Sequence, residues 1–415
     1  MGTELKLTAE ERSMLAGDAG LGVQRAMEIV VALGRIYGAC DLVPVTSAQV
    51  SGVSFKNLGE AGLQFLQEWA DQGARARVPA TLNPAGMDLL AWRELGFSEE
   101  FAQWPAAVVE AYVALGVAPT ATCAPYLAGR PPQRGEHLAW AESSAVSYAN
   151  SVLGARTNRE GGPSALAAAV VGRTARYGLH LDEGRQATTC VHVRCPIRSE
   201  ADLGALGFLV GRQVGNGIPL LRGVRLDREH QGLPLRAMGA AMAASGAVAL
   251  FHVEGLTPEA LDDLPLVPGA RELAIDDLAP AYRALNGPAE AIDLVSLGCP
   301  HASLAEIEAV AAALDGRRLA AALWVTTARA TRQAAEGAGL VARIEAAGGR
   351  VVADTCLVVA PVAGLGFRTL ATNSAKMAFY APAHSKLAVR FGPMEQCLEA
   401  ALTGRWPGAK AKRGA

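Results

Sequence analysis

Three cysteines in three settings, Cys123, Cys299 and Cys356, are the residues whose type and placement carry the most chemistry. Cys123 lies in Thr122-Cys123-Ala124-Pro125-Tyr126, after the extended Val117–Thr122. Cys299 lies in Leu297-Gly298-Cys299-Pro300-His301, after the strand-like Ile292–Leu297. Cys356 lies in Asp354-Thr355-Cys356, within or near a strand that begins at Val351. Two of the three stand where a parallel strand gives way to a turn, and ligands in open α/β sheets gather outside the carboxyl ends of strands. Thiolate is the soft donor that holds iron–sulfur clusters or zinc. Three protein thiolates leave one coordination position free, which makes a Lewis acid able to carry away a substrate hydroxyl. The gaps are long and no close pair exists, so spacing alone is a weak signal and favours three small buried hydrophobes. Cys190 and Cys195 flank Val191–Arg194 at an odd separation, on opposite faces of a strand, which argues against joint ligation. Cys40 and Cys397 read as packing residues.

The elements that must position these thiols alternate in type. Helical spacing over 21–37, 59–73, 302–314 and 328–347 is interleaved with extended runs at 42–50, 78–82, 248–252, 291–297, 323–326 and 351–359. Largely apolar runs bounded by turn residues suit strands buried on both faces, and their alternation with helices implies parallel sheets covered by helices, an α/β class. A polar, helix-prone stretch starts around Pro196–Asp202, and Gly255–Pro268 reads as a surface connection. The expected division is 1–195 with the first cysteine, 196–325 with the second, 326–403 with the third, and a flexible tail over 404–415.

Composition limits the classes of function. Hydrophobic residues at 51% and charged residues at 19% of 415 suffice for several buried cores. A formal charge of −2, from 38 basic and 40 acidic residues, gives no field to draw in nucleic acid or an anionic membrane. The basic cluster Lys410, Lys412 and Arg413 reads as a solvated end. No signal-like N-terminus and no 18-residue apolar run occur, and seven scattered cysteines suit a reducing compartment, so a cytoplasmic protein is expected.

Longer motifs carry a resemblance. Ser51-Gly52-Val53-Ser54-Phe55-Lys56, Thr81-Leu82-Asn83-Pro84-Ala85-Gly86, the Cys123 motif, Glu142-Ser143-Ser144-Ala145-Val146 leading into Asn150 and on to Arg159, Gly298-Cys299-Pro300-His301, Asp354-Thr355-Cys356 and Asn373-Ser374-Ala375-Lys376 follow one another in order. Together they resemble the large, catalytic subunit of the aconitase X family. Ser144 departs from the family's Glu-Ser-Asn-Ala, which puts its own role in doubt. The resemblance implies an aconitase-like fold of three α/β domains lacking the small swivelling domain. It implies that Cys123, Cys299 and Cys356 hold an iron centre, as a 2Fe-2S or 4Fe-4S cluster or a mononuclear iron. It also implies a separate small subunit that brings the swivelling domain and its catalytic serine base.

Dehydrating a hydroxy acid requires a base, an electrophile for the hydroxyl, and cations that hold the carboxylate as charge builds. Arg159 is the first candidate clamp, since a guanidinium fork holds a carboxylate through two bonds, and a structural ion pair is the competing role. Lys376 is the second candidate cation, beside Ser374. Thr157 and Asn158 suit a substrate hydroxyl or amine, or else cap a turn, and Asn150, Ser54 and Lys56 join the substrate-binding set. Gly161-Gly162 would admit a close anion. Glu142 would orient substrate or form a salt bridge, Ser143 would act in catalysis or cap a helix, and His301 would hydrogen-bond a sulfur or serve structure alone. The implied substrate is cis-3-hydroxy-L-proline, favoured by an Ala-, Gly- and Arg-rich composition, with mevalonate 5-phosphate as the alternative. A non-enzymatic iron-responsive regulator and a zinc-dependent hydrolase are the readings from other classes. The absence of a basic face counts against the first.

Overall fold

The structure is a computed structural model that describes residues 4–226, 232–261 and 264–408. Its N-terminal region starts with helices α1 (Ala9–Ala16) and α2 (Leu21–Ile36), and β1 (Leu42–Pro44) pairs antiparallel with β5 (Arg173–Ala175). Between them β2 (Ala48–Val50) is the centre of a parallel sheet with β3 (Ala80–Leu82) and β4 (Ala139–Trp140) on either side. Helices α3 (Phe55–Asp71), α4 (Glu99–Ala114), α5 (Ser143–Ser151) and α6 (Gly162–Val171) complete the region. Residues 165–171 of α6 are all buried, an apolar run too short and alanine-rich to span anything but the core it fills.

A second parallel sheet has the order β8-β7-β6-β9, from β6 (Ala187–Val193), β7 (Pro219–Arg222), β8 (His252–Val253) and β9 (Leu266–Ile275). Helices α7 (Glu200–Val214) and α8 (Leu235–Gly246) cover one face, where Val191, Val193 and Leu221 join the largest core. The two helices meet at glycines: a Cβ on Gly246 would stand 2.0 Å from the Gly211 carbonyl oxygen, so no larger residue fits that crossing.

The third sheet is also parallel and follows the order β12-β11-β10-β13-β14. Its strands are β10 (Leu294–Ala302), β11 (Ala322–Thr327), β12 (Arg350–Ala353), β13 (Thr369–Thr372) and β14 (Ala388–Phe391). Helices α9 (Ala279–Leu285), α10 (Leu304–Ala313), α11 (Arg329–Gly337), α12 (Leu340–Ala347), α13 (Ala375–His384) and α14 (Met394–Thr403) surround it. Chain order reverses between β10 and β13, which makes their carboxyl ends the switch point where such sheets bind ligands.

The α/β class and the parallel sheets match expectation, whereas several boundaries differ for physical reasons. The run 351–359 is a strand only to Ala353, because Asp354 turns the chain with φ at 60°. The helix expected over 328–347 breaks at Gly339, which is left-handed at φ 72°. Of 248–252 only His252 is in a strand; Val248, Leu250 and Phe251 are buried by packing instead of pairing. The run 42–50 is two strands, and Leu266–Pro268, expected in a connection, opens β9. In the expected tail Arg405 bridges Ala291 and the Trp406 amide donates to Glu290, while residues 409–415, including the basic end, lie outside the described residues.

Candidate active site

All three strands of the first sheet are parallel, so their carboxyl ends share one edge: β2 runs on into Ser51–Ser54, β3 into Asn83 and β4 into Glu142. This edge faces the carboxyl ends of the third sheet. The Ala85 amide donates to the Asp354 carbonyl at 2.9 Å, and Lys376 from α13 reaches Glu142, the N-cap of α5, at 2.5 Å.

Each cysteine is carried to this seam by its own device. Cys299 occupies the irregularity in β10 between Leu297 and Ala302, where the ladder to β11 shifts register. Gly298 makes that turn, with φ at 91°, and a Cβ there would lie 2.1 Å from the Thr326 carbonyl oxygen. Cys356 follows the turn at Asp354, whose carboxylate is gripped by Arg329 from α11. Arg329 also holds Asp88 of the N-terminal region at 2.5 Å, so one guanidinium locks the Cys356 loop to the first sheet. Cys123 follows Thr122, whose amide donates to the Leu82 carbonyl at the end of β3.

One histidine ties the three segments together. His301 stands two residues after Cys299, and its amide donates to Cys123 Sγ at 3.2 Å. Its Nε2 lies 2.7 Å from the Thr355 carbonyl, next to Cys356, and its Nδ1 lies 3.1 Å from Thr122 Oγ1, next to Cys123. A carbonyl only accepts, so Nε2 carries the proton and Nδ1 accepts from the threonine hydroxyl. Burial pulls the ring down to about 4, which keeps it neutral. Both ring nitrogens are thereby occupied, and His301 braces the three segments.

The electrostatics centre on Lys376. Burial disfavours its charge, yet Glu142 and the Cys299 and Cys123 sulfurs raise its proton affinity above the ordinary lysine range. Burial likewise opposes the Glu142 carboxylate, but Lys376 and the Ser144 amide and hydroxyl hold it down at about 2. Asn83 Nδ2 donates to its other oxygen at 2.9 Å. A hydrogen bond from Cys356 lowers the Cys299 thiol to about 7 against its burial, with help from Lys376 and Ser374. The same bond and burial raise Cys356, and burial with the Glu142 charge pushes Cys123 up to about 12. Three thiols around one ammonium form a donor set that a soft cation would complete.

Ser374 caps α13 and touches Cys299, Ser143 Oγ donates to Glu142 at 3.3 Å, and Ser144 Oγ lies 3.3 Å from Lys376 Nζ. Ser144, the departure from the family motif, is therefore inside the network. Ser54 is 3% exposed and its hydroxyl has no protein partner. Arg159 is exposed on the same rim, beside Glu160, whose amide binds Trp140, and Gly162, which packs on the Ser51 carbonyl. That contact, at 2.6 Å from a would-be Cβ, is what requires glycine at 162, in place of the anion expected there. Lys56 is exposed in the first turn of α3.

Three expected substrate contacts engage in hydrogen bonds within the protein. Asn150 spends its side chain on the Thr157 backbone, the Ala249 carbonyl, and Arg185. Thr157 Oγ1 donates to the Asn158 carbonyl and accepts from the Trp140 amide. Asn158 joins the Tyr177 carbonyl to the Leu179 amide. These bonds shape the chain after α5 and fill all four hydrogen-bonding positions of the Asn150 amide. Conversely, Asn83, Thr122, Thr355, Asp88 and Arg329 belong to the seam. Asn83 lay inside a recognised motif, whereas Arg329 gave no signal in the sequence.

Family models for the first, second and third domains of aconitase X match residues 4–183, 187–278 and 292–403. The phosphomevalonate dehydratase large subunit of Methanothermobacter thermautotrophicus is 52% identical over 378 residues, 91% of this chain and 94% of that protein. The cis-3-hydroxy-L-proline dehydratase of Pseudomonas aeruginosa is 40% identical over 421 residues, 97% of this chain and 71% of that protein. A crystal structure of Thermococcus kodakaraensis aconitase X in its holo form superposes with a TM-score of 0.88 at 43% identity, covering 95% of this chain and 100% of that one.

Proposed function

Since the chain belongs to the aconitase X family, we propose that it is the large subunit of a two-chain hydro-lyase that removes water from mevalonate 5-phosphate. The observation that carries a dehydratase reading is the seam itself: thiols from three distant segments converge with a buried ammonium where two parallel sheets turn their carboxyl ends to each other. The composition that favoured cis-3-hydroxy-L-proline weighs less than the layout of the relatives. The phosphomevalonate dehydratase subunit is matched nearly end to end, while the hydroxyproline dehydratase extends well beyond the match.

Cys123, Cys299 and Cys356 would hold an iron–sulfur centre. Their chemistry fits it: the donors are soft and buried, and among the described residues the other cysteines stand elsewhere, Cys397 on the Gly392 carbonyl and Cys190 beside His192. Such a centre supplies a Lewis-acidic iron for the departing hydroxyl. Lys376 faces the negative charge that builds as the proton leaves, and Glu142 fixes the ammonium in place. Ser54 offers an unpartnered hydroxyl, and Arg159 on the rim clamps the carboxylate. The base is a serine of the small subunit.

A cleft of about 370 Å³ beside the seam supports a phosphate ester. Arg198, Ser199, Ser303 and Asn373 line it, and α7, α10 and α14 point their N-termini into it. Of its three acidic members, Glu306 is committed to Arg236 and burial beside Glu306 raises Glu200 to about 7, while Glu395 is exposed at the mouth. The test is turnover by the reconstituted pair, with product followed by NMR. Mevalonate 5-phosphate is expected to lose water, and turnover of cis-3-hydroxy-L-proline alone would overturn the choice of substrate.

A further inference from the structure

The outer face of the second sheet, opposite α7 and α8, carries a group of donors unrelated to the three-cysteine seam. Cys190 and His192 are two residues apart on β6 and so project from one face, and Glu272 on β9 is the register partner of Cys190. Their ligand atoms all lie within 4.8 Å of one another. His192 Nε2 is the shared point, 3.7 Å from Cys190 Sγ and 2.6 Å from Glu272 Oε2. A lone His–Glu pair would explain one of these approaches, but not a buried sulfur turned to the same nitrogen.

We propose that Cys190, His192 and Glu272 form a zinc-type cation site, open to water at its fourth position. Thiolate, imidazole and carboxylate together are the donor set of a borderline cation. Bond lengths near 2.3 Å to sulfur and 2.1 Å to nitrogen at a tetrahedral angle put those atoms roughly 3.6 Å apart, which matches the spacing found here. The His–Glu pair must open to about 3.4 Å, and the Glu272 side chain, 61% exposed, is free to move. Binding places the imidazole proton on Nδ1 and releases the thiol proton to water. Arg222 on β7, the register partner of His192, is drawn toward Glu254 at 3.3 Å.

The test is zinc binding by the full chain in competition with a chromophoric chelator, for wild type, C190S and H192Q, each with and without C299S to separate this site from the seam. The expected result is one equivalent of zinc that persists in C299S and whose affinity, read in that background, falls tenfold or more in both C190S and H192Q. Zinc should also raise the melting temperature of C299S and not that of the C299S/H192Q double variant. His192 is partly exposed, so that variant keeps the proposal testable even if C190S fails to fold. Unchanged zinc binding in both variants and both backgrounds would overturn the site.

Discussion

Replacing Lys376 by Met removes the one ammonium at the seam while keeping side-chain volume. At 2.5 Å from Glu142, the gross attraction at an effective dielectric of about 20 is roughly 7 kcal/mol. Desolvation of both charges offsets much of it, and breaking such a buried pair from one side costs about 3–5 kcal/mol. Asn83 and Ser144 keep their bonds to the stranded carboxylate, so the loss should fall near the lower end, about 3 kcal/mol. E142Q alone strands the ammonium and should cost a similar amount. The double variant leaves no bare charge and should recover about 2 kcal/mol or more relative to the sum of the single losses. Urea unfolding combined with native-state hydrogen exchange at α5 and α13 measures this coupling where the pair sits. Single losses below about 1 kcal/mol, or additivity within about 0.5 kcal/mol, would refute a buried, mutually dependent pair and match a solvent-screened one.

Other expectations follow from the same geometry. G298A puts a Cβ against the Thr326 carbonyl at a left-handed position, so it should destabilise the protein by about 2 kcal/mol or more and speed alkylation of Cys299. R329M leaves Asp88 and Asp354 facing each other without a cation; it should cost about 3–5 kcal/mol, and adding D88N should restore part of it. Burial beside His137 and Arg185 pulls His180 from 6.5 to about 3, so the unfolded chain binds its proton first. Stability should therefore fall as pH drops from about 6.5 toward 3, and H180N should flatten that dependence in pH-resolved denaturation curves. R159A should raise KM in the reconstituted pair without moving the melting temperature, because Arg159 is exposed and a structural ion pair would show in both.

The sheets were legible where strands are buried on both faces. Val295, Leu297, Leu323 and Val325 stand in runs with no polar face, and flanking glycines and helical spacing fix their type. Apolar character without pairing misled at 248–251, where the core takes the side chains but no neighbouring strand takes the backbone. The end of β12 was invisible because Asp354, a non-glycine residue, turns in the left-handed region, and the α11 residue Arg329 that grips its carboxylate stands 25 residues earlier and is silent in pattern. Spacing could bring out the three cysteines as candidates, but their convergence depends on His301, whose neighbours Thr122 and Thr355 are threonines of ordinary appearance. Asn150, Thr157 and Asn158 are polar residues in a distinctive motif whose side chains bond to the backbone. Sequence cannot separate the two uses, since both place hydrogen-bonding side chains at fixed positions.

The most direct measurement is iron, zinc and acid-labile sulfide in anaerobically purified protein, for the wild type and for Cys→Ser replacements at 123, 299 and 356. Iron with sulfide in the wild type, sharply reduced by each replacement, is the predicted result. Zinc without iron, or iron that persists when all three positions are serine, would contradict a hydro-lyase built on this seam.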